Sequence, residues 1–147
     1  MMRCLASGLR TAGDDACVVT CGPPPIVRPM FGLAKLENGA AEALDGCELR
    51  LHDDDDGRPV VDLGDSLVDE AALRTIAITE LAPSTDTTWS EITPGAAMRG
   101  LIDGSIAEGA GLSLGAIRRL VSTVRCVRLQ LGSDPAGVVA AVVELAR

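Results

Sequence analysis

Hydrophobic and polar residues alternate most clearly between residues 47 and 63. From Cys47 to Leu51 every second residue is apolar, which is the period of two expected of a strand with one buried face. An acidic run ending in Asp-Gly follows, and this dipeptide favours a hairpin turn because both residues tolerate a positive φ. A second apolar run then occupies residues 60–63. We therefore predict a β-hairpin, and Pro59 either places its second strand at a sheet edge or leaves one N–H position of the ladder unpaired.

Strand-like and helix-like segments alternate through the rest of the chain. Residues 75–81 and 124–131 are rich in β-branched and aliphatic side chains, and both predict strands. Thr93 precedes a proline, and Ser113 precedes another periodic apolar run. Both hydroxyls are typical helix starts, because the side-chain oxygen accepts a hydrogen bond from a free backbone N–H. A short helix is also expected at Ser66.

The final segment, residues 135–146, predicts a helix that is apolar on nearly every side, with a strand as the alternative because four of its residues are valine. One face can cover the sheet of its own molecule, and the other needs a second cover. A two-fold dimer is the commonest way to bury such a face. We expect a homo-oligomer or a protein partner bound through residues 135–146, with the chain's own N-terminal arm as the competing cover.

These elements predict an α+β fold in which a small mixed or antiparallel sheet is covered by three to four helices. A three-layer α/β fold is the alternative, because helices and strands alternate after residue 63. Residues 1–46 contain three successive prolines and little periodicity, so we expect an irregular N-terminal arm with one short strand. Residues 47–147 are expected to form the α+β part of a single folded domain.

Charge and composition exclude several classes of partner. The 147 residues carry a formal net charge of −8, which repels phosphate backbones and anionic lipid headgroups. One Phe, one Trp and no Tyr leave little aromatic surface on which bases could stack. We expect no nucleic-acid and no membrane partner. Since no apolar stretch has the length of a membrane span or the form of a signal peptide, a cytoplasmic location is expected.

Candidate catalytic side chains are few. Asp86 and Glu91 flank Trp89 in a polar loop, residues 85–91, that follows a predicted strand, where binding sites often gather. The alternative is that Trp89 packs at the end of the core, as a hydrophobic staple at the start of the helix that follows. His52 is the only histidine, it adjoins the aspartate run, and it is the candidate general base.

Cysteines and aspartates supply the remaining candidates. Cys17 and Cys21 are spaced as a pair, and either thiol is a potential nucleophile, but a zinc site would need further ligands. Asp54 and Asp56 are the candidate metal ligands, although the run does not match an EF-hand loop at either end. We expect no cofactor and no bound metal. Two cysteines in strand-like apolar runs are expected to be buried: Cys47 and Cys126.

The sequence thus predicts a small acidic cytosolic interaction or accessory subunit without a catalytic constellation of its own. The alternative is a small enzyme that uses the polar loop at residues 85–91 with its carboxylates, or the thiol of Cys17 or Cys21.

Overall fold

The computed structural model describes residues 1–14, 16–36, 50–53, 59–104 and 113–147. Within these residues the chain has a mixed α+β fold with four α-helices and three small sheets. It divides into two compact units. Unit 1 comprises Met1–Thr20 and Ile26–Ala72, and unit 2 comprises Cys21–Pro25 and Leu73–Arg147. None of the helices in these described ranges is both long and apolar enough to cross a bilayer.

The prediction of one sheet covered by helices is wrong. The described strands form three separate three-stranded sheets, because turns and prolines divide the first half of the chain into short strands, and these pair with one another and not with the strands of residues 75–131. The N-terminal arm is also more regular than predicted. Its described residues form one helix and three strands: α1 (Met2–Ala6), β1 (Cys17–Thr20), β2 (Ile26–Pro29) and β3 (Leu33–Lys35). The boundary predicted between residues 46 and 47 lies outside the described residues.

The remaining strands of unit 1 include the predicted hairpin. They are β4 (Arg50–Asp53), β5 (Pro59–Asp62) and β6 (Ala71–Ala72), in the sheet orders β1-β2-β6 and β3-β5-β4. β4 and β5 pair antiparallel as predicted, with Asp53 opposite Pro59, and the tip at residues 54–58 lies outside the described residues. β5 is central and not at an edge. Pro59 is tolerated there because it is the first residue of the strand.

Unit 1 has its own apolar core. Val61 and Leu63 are fully buried, and they pack with the half-buried Leu67 and with three further buried side chains: Leu5, Ala34 and Leu36. The short helix predicted to begin at Ser66 is not formed: a single 3-10 turn, Gly64–Ser66, ends there, and residues 67–70 contain no helix. Gly64 has a φ of +38°, which glycine adopts readily at the start of this turn.

Unit 2 is built around one sheet, in which the spatial order of the strands differs from their order along the chain. Its strands are β7 (Thr75–Leu81), β8 (Thr88–Glu91) and β9 (Arg125–Leu131), and its helices are α2 (Pro94–Gly104), α3 (Leu114–Val121) and α4 (Pro135–Leu145). The sheet order is β7-β9-β8. β9 lies between its neighbours, running parallel to β7 and antiparallel to β8.

The alternation of side chains along β9 gives unit 2 two apolar clusters. Cys126 packs with Ile76 and with residues of α2 and α3, including Ala97 and Ile117. On the other side of the strand, two buried residues of β9 pack with two of α4: Val127, Leu129, Ala141 and Leu145. Because successive strand residues point to opposite faces, α2 and α3 cover one face of the sheet and α4 covers the other.

Local capping chemistry starts the helices of unit 2 where the sequence predicts. Thr93 Oγ1 accepts a hydrogen bond from Ala96 N at 3.2 Å, and Ser113 Oγ accepts one from Ala116 N at 3.3 Å. Asp134 caps α4 by accepting hydrogen bonds from the N–H groups of the second and third residues that follow it. The final apolar segment is therefore a helix and not a strand.

Burial distinguishes the cysteines. Cys126 is 6% exposed, as its strand pattern predicts, and burial raises the pKa of its thiol. Its Sγ lies 3.6 Å from Val121 O. Cys17 and Cys21 are exposed and Cys4 is half-buried, all with free thiols. Cys47 lies outside the described residues.

We expect an uncharged alkylating reagent to modify Cys17 and Cys21 in the native protein and to reach Cys126 only after unfolding. Mass spectrometry of the labelled peptides shows which cysteines have reacted. Rapid labelling of Cys126 in the native protein would contradict its packing against α2 and α3.

Burial of Cys126 also makes the stability depend on pH. Because the pKa of its thiol is raised in the folded state, its contribution to the free energy of unfolding is full below the ordinary thiol pKa and is lost as the pH rises through the folded value.

Candidate functional site

The predicted site residues that the structure describes are distributed over both units. Cys17 and His52 are exposed on strands of unit 1, whereas Cys21 belongs to unit 2. The candidate metal ligands Asp54 and Asp56 lie outside the described residues. Among the residues that are described, no group of three His, Cys, Asp or Glu side chains is placed to hold a metal ion.

The loop predicted at residues 85–91 is shorter in the structure, because its second half is strand β8. Asp86 is exposed in the loop, where its backbone oxygen accepts a hydrogen bond from Ser84 Oγ at 2.9 Å. Glu91 is on β8, and its Oε1 lies 3.2 Å from Arg125 Nε. The Glu91 carboxylate is thus held by a strand neighbour, while Asp86 faces solvent.

Trp89 packs against α4 and does not form a hydrophobic staple at the start of α2. Its indole Nε1 donates a hydrogen bond to Glu144 Oε2 at 3.2 Å, and its ring joins the cluster of Val127 and Leu129. The guanidinium of Arg125 lies 4.5 Å from the centre of the ring, which is within the range of a cation–π contact. This arrangement fixes β8 to α4 and leaves Trp89 half-buried.

Cys21 lines a cavity of about 410 Å³ at the C-terminal end of α3. Arg118 and Arg119 line the same cavity, and Cys21 Sγ lies 3.8 Å from Ala116 O. Both arginines are in the last turn of α3, where positive charge is favoured by the helix dipole. Their placement is therefore accounted for by the helix itself.

A second cleft, of about 420 Å³, lies on the α2 face of the unit 2 sheet. Glu80 and Arg128 form an ion pair at 3.2 Å on one side of it. Arg99 and Asp103 line it from α2. A Cβ on Gly100 would lie 2.7 Å from Ile78 Cγ2, so glycine allows α2 to approach β7 this closely at the cleft.

The outer edge of β7 is the most distinctive backbone feature of unit 2. Arg125 N donates to Arg74 O at 2.9 Å, and Ala82 N donates to Leu131 O at 2.9 Å. These two hydrogen bonds fix the phase of the parallel ladder, that is, which residues of β7 turn their backbone groups towards β9. The even-numbered residues turn their N–H and C=O groups towards β9. The odd-numbered residues turn theirs outwards: Thr75, Ala77, Thr79 and Leu81.

This outward edge is accessible over most of its length. Ala77 and Thr79 are exposed, and Leu81 is 90% exposed. At the start of the strand, Pro25 O accepts a hydrogen bond from Leu73 N at 2.8 Å, which closes the edge there. Beyond Leu73, no backbone hydrogen bond between described residues reaches the outer side of β7. Edge strands of this kind are templates for pairing with another chain.

Sequence reasoning missed this edge and the residues of the cleft on the α2 face. The pattern of residues 75–81 predicts the strand, but a single sequence does not say which strand lies beside it. The only signal is the low charge of the segment, with Glu80 as its one ionisable side chain. Interior strands and open edge strands can both have this pattern.

Gly132 places the loop before β8 against the end of β9, and we expect Gly132→Ala to be destabilising. A Cβ there would meet backbone atoms of Thr85 and would lie 2.5 Å from Asp86 O. Urea unfolding should show a loss of about 1–3 kcal/mol. Gly95→Ala is the control, because nothing lies within 4 Å of its Cβ position and alanine favours the helix by up to about 1 kcal/mol. Equal effects of the two substitutions would contradict this close approach.

Comparison with known proteins gives no relative for this chain: no protein-family model matches it, and no curated protein or solved structure is similar to it. The function must therefore follow from the geometry of the residues themselves.

Proposed function

We propose that this protein is a small interaction or accessory subunit that binds a protein partner by strand addition at the outer edge of β7. The observation that carries the proposal is the row of outward N–H and C=O groups at Ala77, Thr79 and Leu81, all on exposed residues. In strand addition, main-chain hydrogen bonds supply affinity and alternate side chains supply specificity.

The side chains beside this edge suit a protein partner. Ile78 is half-buried on the α2 face, and Leu81 is exposed on the other face. Arg74 and Glu80 place opposite charges near the two ends of the strand. An added strand would therefore meet Ile78 at its middle, Leu81 at one end, and a charged side chain near each end.

A small enzyme, the alternative from the sequence, receives less support from the same geometry. It would need Asp86 and Glu91 to face one ligand, or a thiol held beside a base. The Glu91 carboxylate is instead bound by Arg125, and Cys21 Sγ is near a backbone carbonyl, Ala116 O. These contacts give the carboxylate and the thiol structural partners.

The helix α4 is a second candidate surface for the same function. Its Ala141 and Leu145 are buried against the sheet, whereas Ala140 and Ala146 are exposed. Its four valines are half-buried. Assembly through residues 135–146 thus has a smaller apolar face available than the sequence predicts, and we place the main contact at β7.

Thr79→Pro tests the proposal, because proline removes an outward N–H and blocks an incoming strand. Proline is tolerated at edge positions whose N–H faces solvent. The full-length chain carrying Thr79→Pro or Thr79→Ala would be compared with the parent in native pull-downs, and each retained protein would be purified and titrated. We expect Thr79→Pro to raise the Kd at least about tenfold and Thr79→Ala to leave it nearly unchanged.

The matched folding control is Ile78→Pro. By the phase of the ladder, the Ile78 N–H is directed at β9, so this substitution should cost about 3 kcal/mol or more and unfold unit 2. Circular dichroism should show that Thr79→Pro remains folded. Purified partners that bind Thr79→Pro as tightly as the parent would contradict strand addition at β7, as would a parent chain that binds neither another protein nor a second copy of itself.

Val139→Asp separates the two surfaces. If β7 is the contact, we expect folded Val139→Asp to bind its partner with a Kd within about threefold of the parent value. A charge at a half-buried helix position should lower the free energy of unfolding by about 1–3 kcal/mol, so the titration is made below the unfolding transition. Loss of binding by the folded variant would place the contact on α4.

A further inference from the structure

Taking the proposed function as its basis, we infer that the partner at the edge of β7 is a second copy of this chain, bound antiparallel about a two-fold axis at Ile78. The two sheets would join into one of six strands, with β7 paired to β7 at its centre. A contact of this kind uses the same surface on both copies, which is the arrangement that a two-fold dimer requires.

The limits of the open edge select this register. Because the outward groups belong to odd-numbered residues, hydrogen-bonded pairs must join odd residues to odd residues. Centring the pair on Ile78 places Thr75 opposite Leu81 and Ala77 opposite Thr79, so the seven residues of β7 match themselves from end to end. A register centred on Ala77 would direct Leu81 of the second copy to Leu73, whose N–H is already bound by Pro25 O.

The side chains are self-complementary in this register. Ile78 meets Ile78 of the second copy in a non-hydrogen-bonded pair, where side chains approach most closely. Glu80 is opposite Ile76 of the second copy and diagonal to its Arg74. Diagonal neighbours are within reach of long side chains. Arg74 and Glu80 are both exposed, and the two-fold axis makes this attraction occur twice.

The phase of the ladder also opposes a parallel pair. In the parallel ladder with β9, Arg125 turns its backbone groups towards β7, whereas Thr75, which is directly opposite, turns its own away. Two copies of one edge could therefore pair in parallel only with an offset of one residue, and a two-fold axis does not allow that offset. The antiparallel arrangement instead places each Glu80 within reach of Arg74 of the second copy as well as its own Arg128, which is 3.2 Å away.

Two charge-reversing substitutions test the inference on the full-length chain, because each should weaken self-association alone and the two should compensate for each other when the variants are mixed. Arg74→Glu leaves only acidic residues at the two positions, and Glu80→Arg leaves only basic ones, so each variant alone repels its own copy. Mixed in equal amounts, the two variants restore opposite charges at both contacts. By sedimentation equilibrium, we expect each variant alone to self-associate at least about tenfold more weakly than the parent, and the mixture to recover to within about threefold.

Arg119→Glu is the matched control, since it makes the same charge change at an exposed position on α3. Alone it should self-associate like the parent. With Glu80→Arg it joins opposite charges at only one of the two contacts, so this heterodimer should be weaker than the one formed by Arg74→Glu and Glu80→Arg. Circular dichroism confirms that each chain is folded. Thr79→Pro, which carries no charge change, should also be monomeric at concentrations where the parent is a dimer.

A parent chain that stays monomeric at high micromolar concentration would overturn the inference, as would a mixture that associates no better than its components. Self-association that is undiminished in Thr79→Pro would overturn it too. None of these results would remove strand addition itself, because a different protein that binds the parent and not Thr79→Pro would leave the proposed function standing with another partner.

Discussion

The parallel pairing of β7 with β9 is the constraint on which unit 2 depends. β9 is the central strand, and its register against β7 runs without interruption from Thr75 opposite Arg125 to Leu81 opposite Leu131. The phase of this ladder turns alternate backbone groups of β7 inwards and outwards. The same alternation in β9 directs Cys126 to α2 and α3 and Val127 to α4, so that backbone pairing and core formation are decided together.

Two side chains of the short strand β8 hold it to its neighbours, one to α4 and one to β9. Trp89 donates to Glu144 on α4, and Glu91 is bound by Arg125 on β9. These exposed ion pairs and hydrogen bonds each contribute little, about 1 kcal/mol or less. The apolar contact of the Trp89 ring with the α4 cluster supplies the larger contribution, since burial of an aromatic side chain dominates local packing energetics.

Features with local causes were predictable from the sequence. Thr93, Ser113 and Asp134 each satisfy backbone N–H groups a few residues away, so the starts of three helices follow from neighbouring residues alone. Strand β8 was not predictable, because its polar residues resemble a loop and it is a strand only through its pairing with β9. The three-sheet arrangement and the open edge of β7 depend on which strands meet, and that information is spread over distant parts of the chain.

The position of Trp89 has a consequence for observing the molecule. It is the single tryptophan of a chain with no tyrosine, so the tryptophan fluorescence comes from one indole, whose ring packs against the α4 cluster and whose N–H donates to Glu144. Movement of α4 away from the sheet would remove a carboxylate from that indole and admit water to the ring. The emission of the native protein is therefore a direct optical signal of whether its last helix is in place.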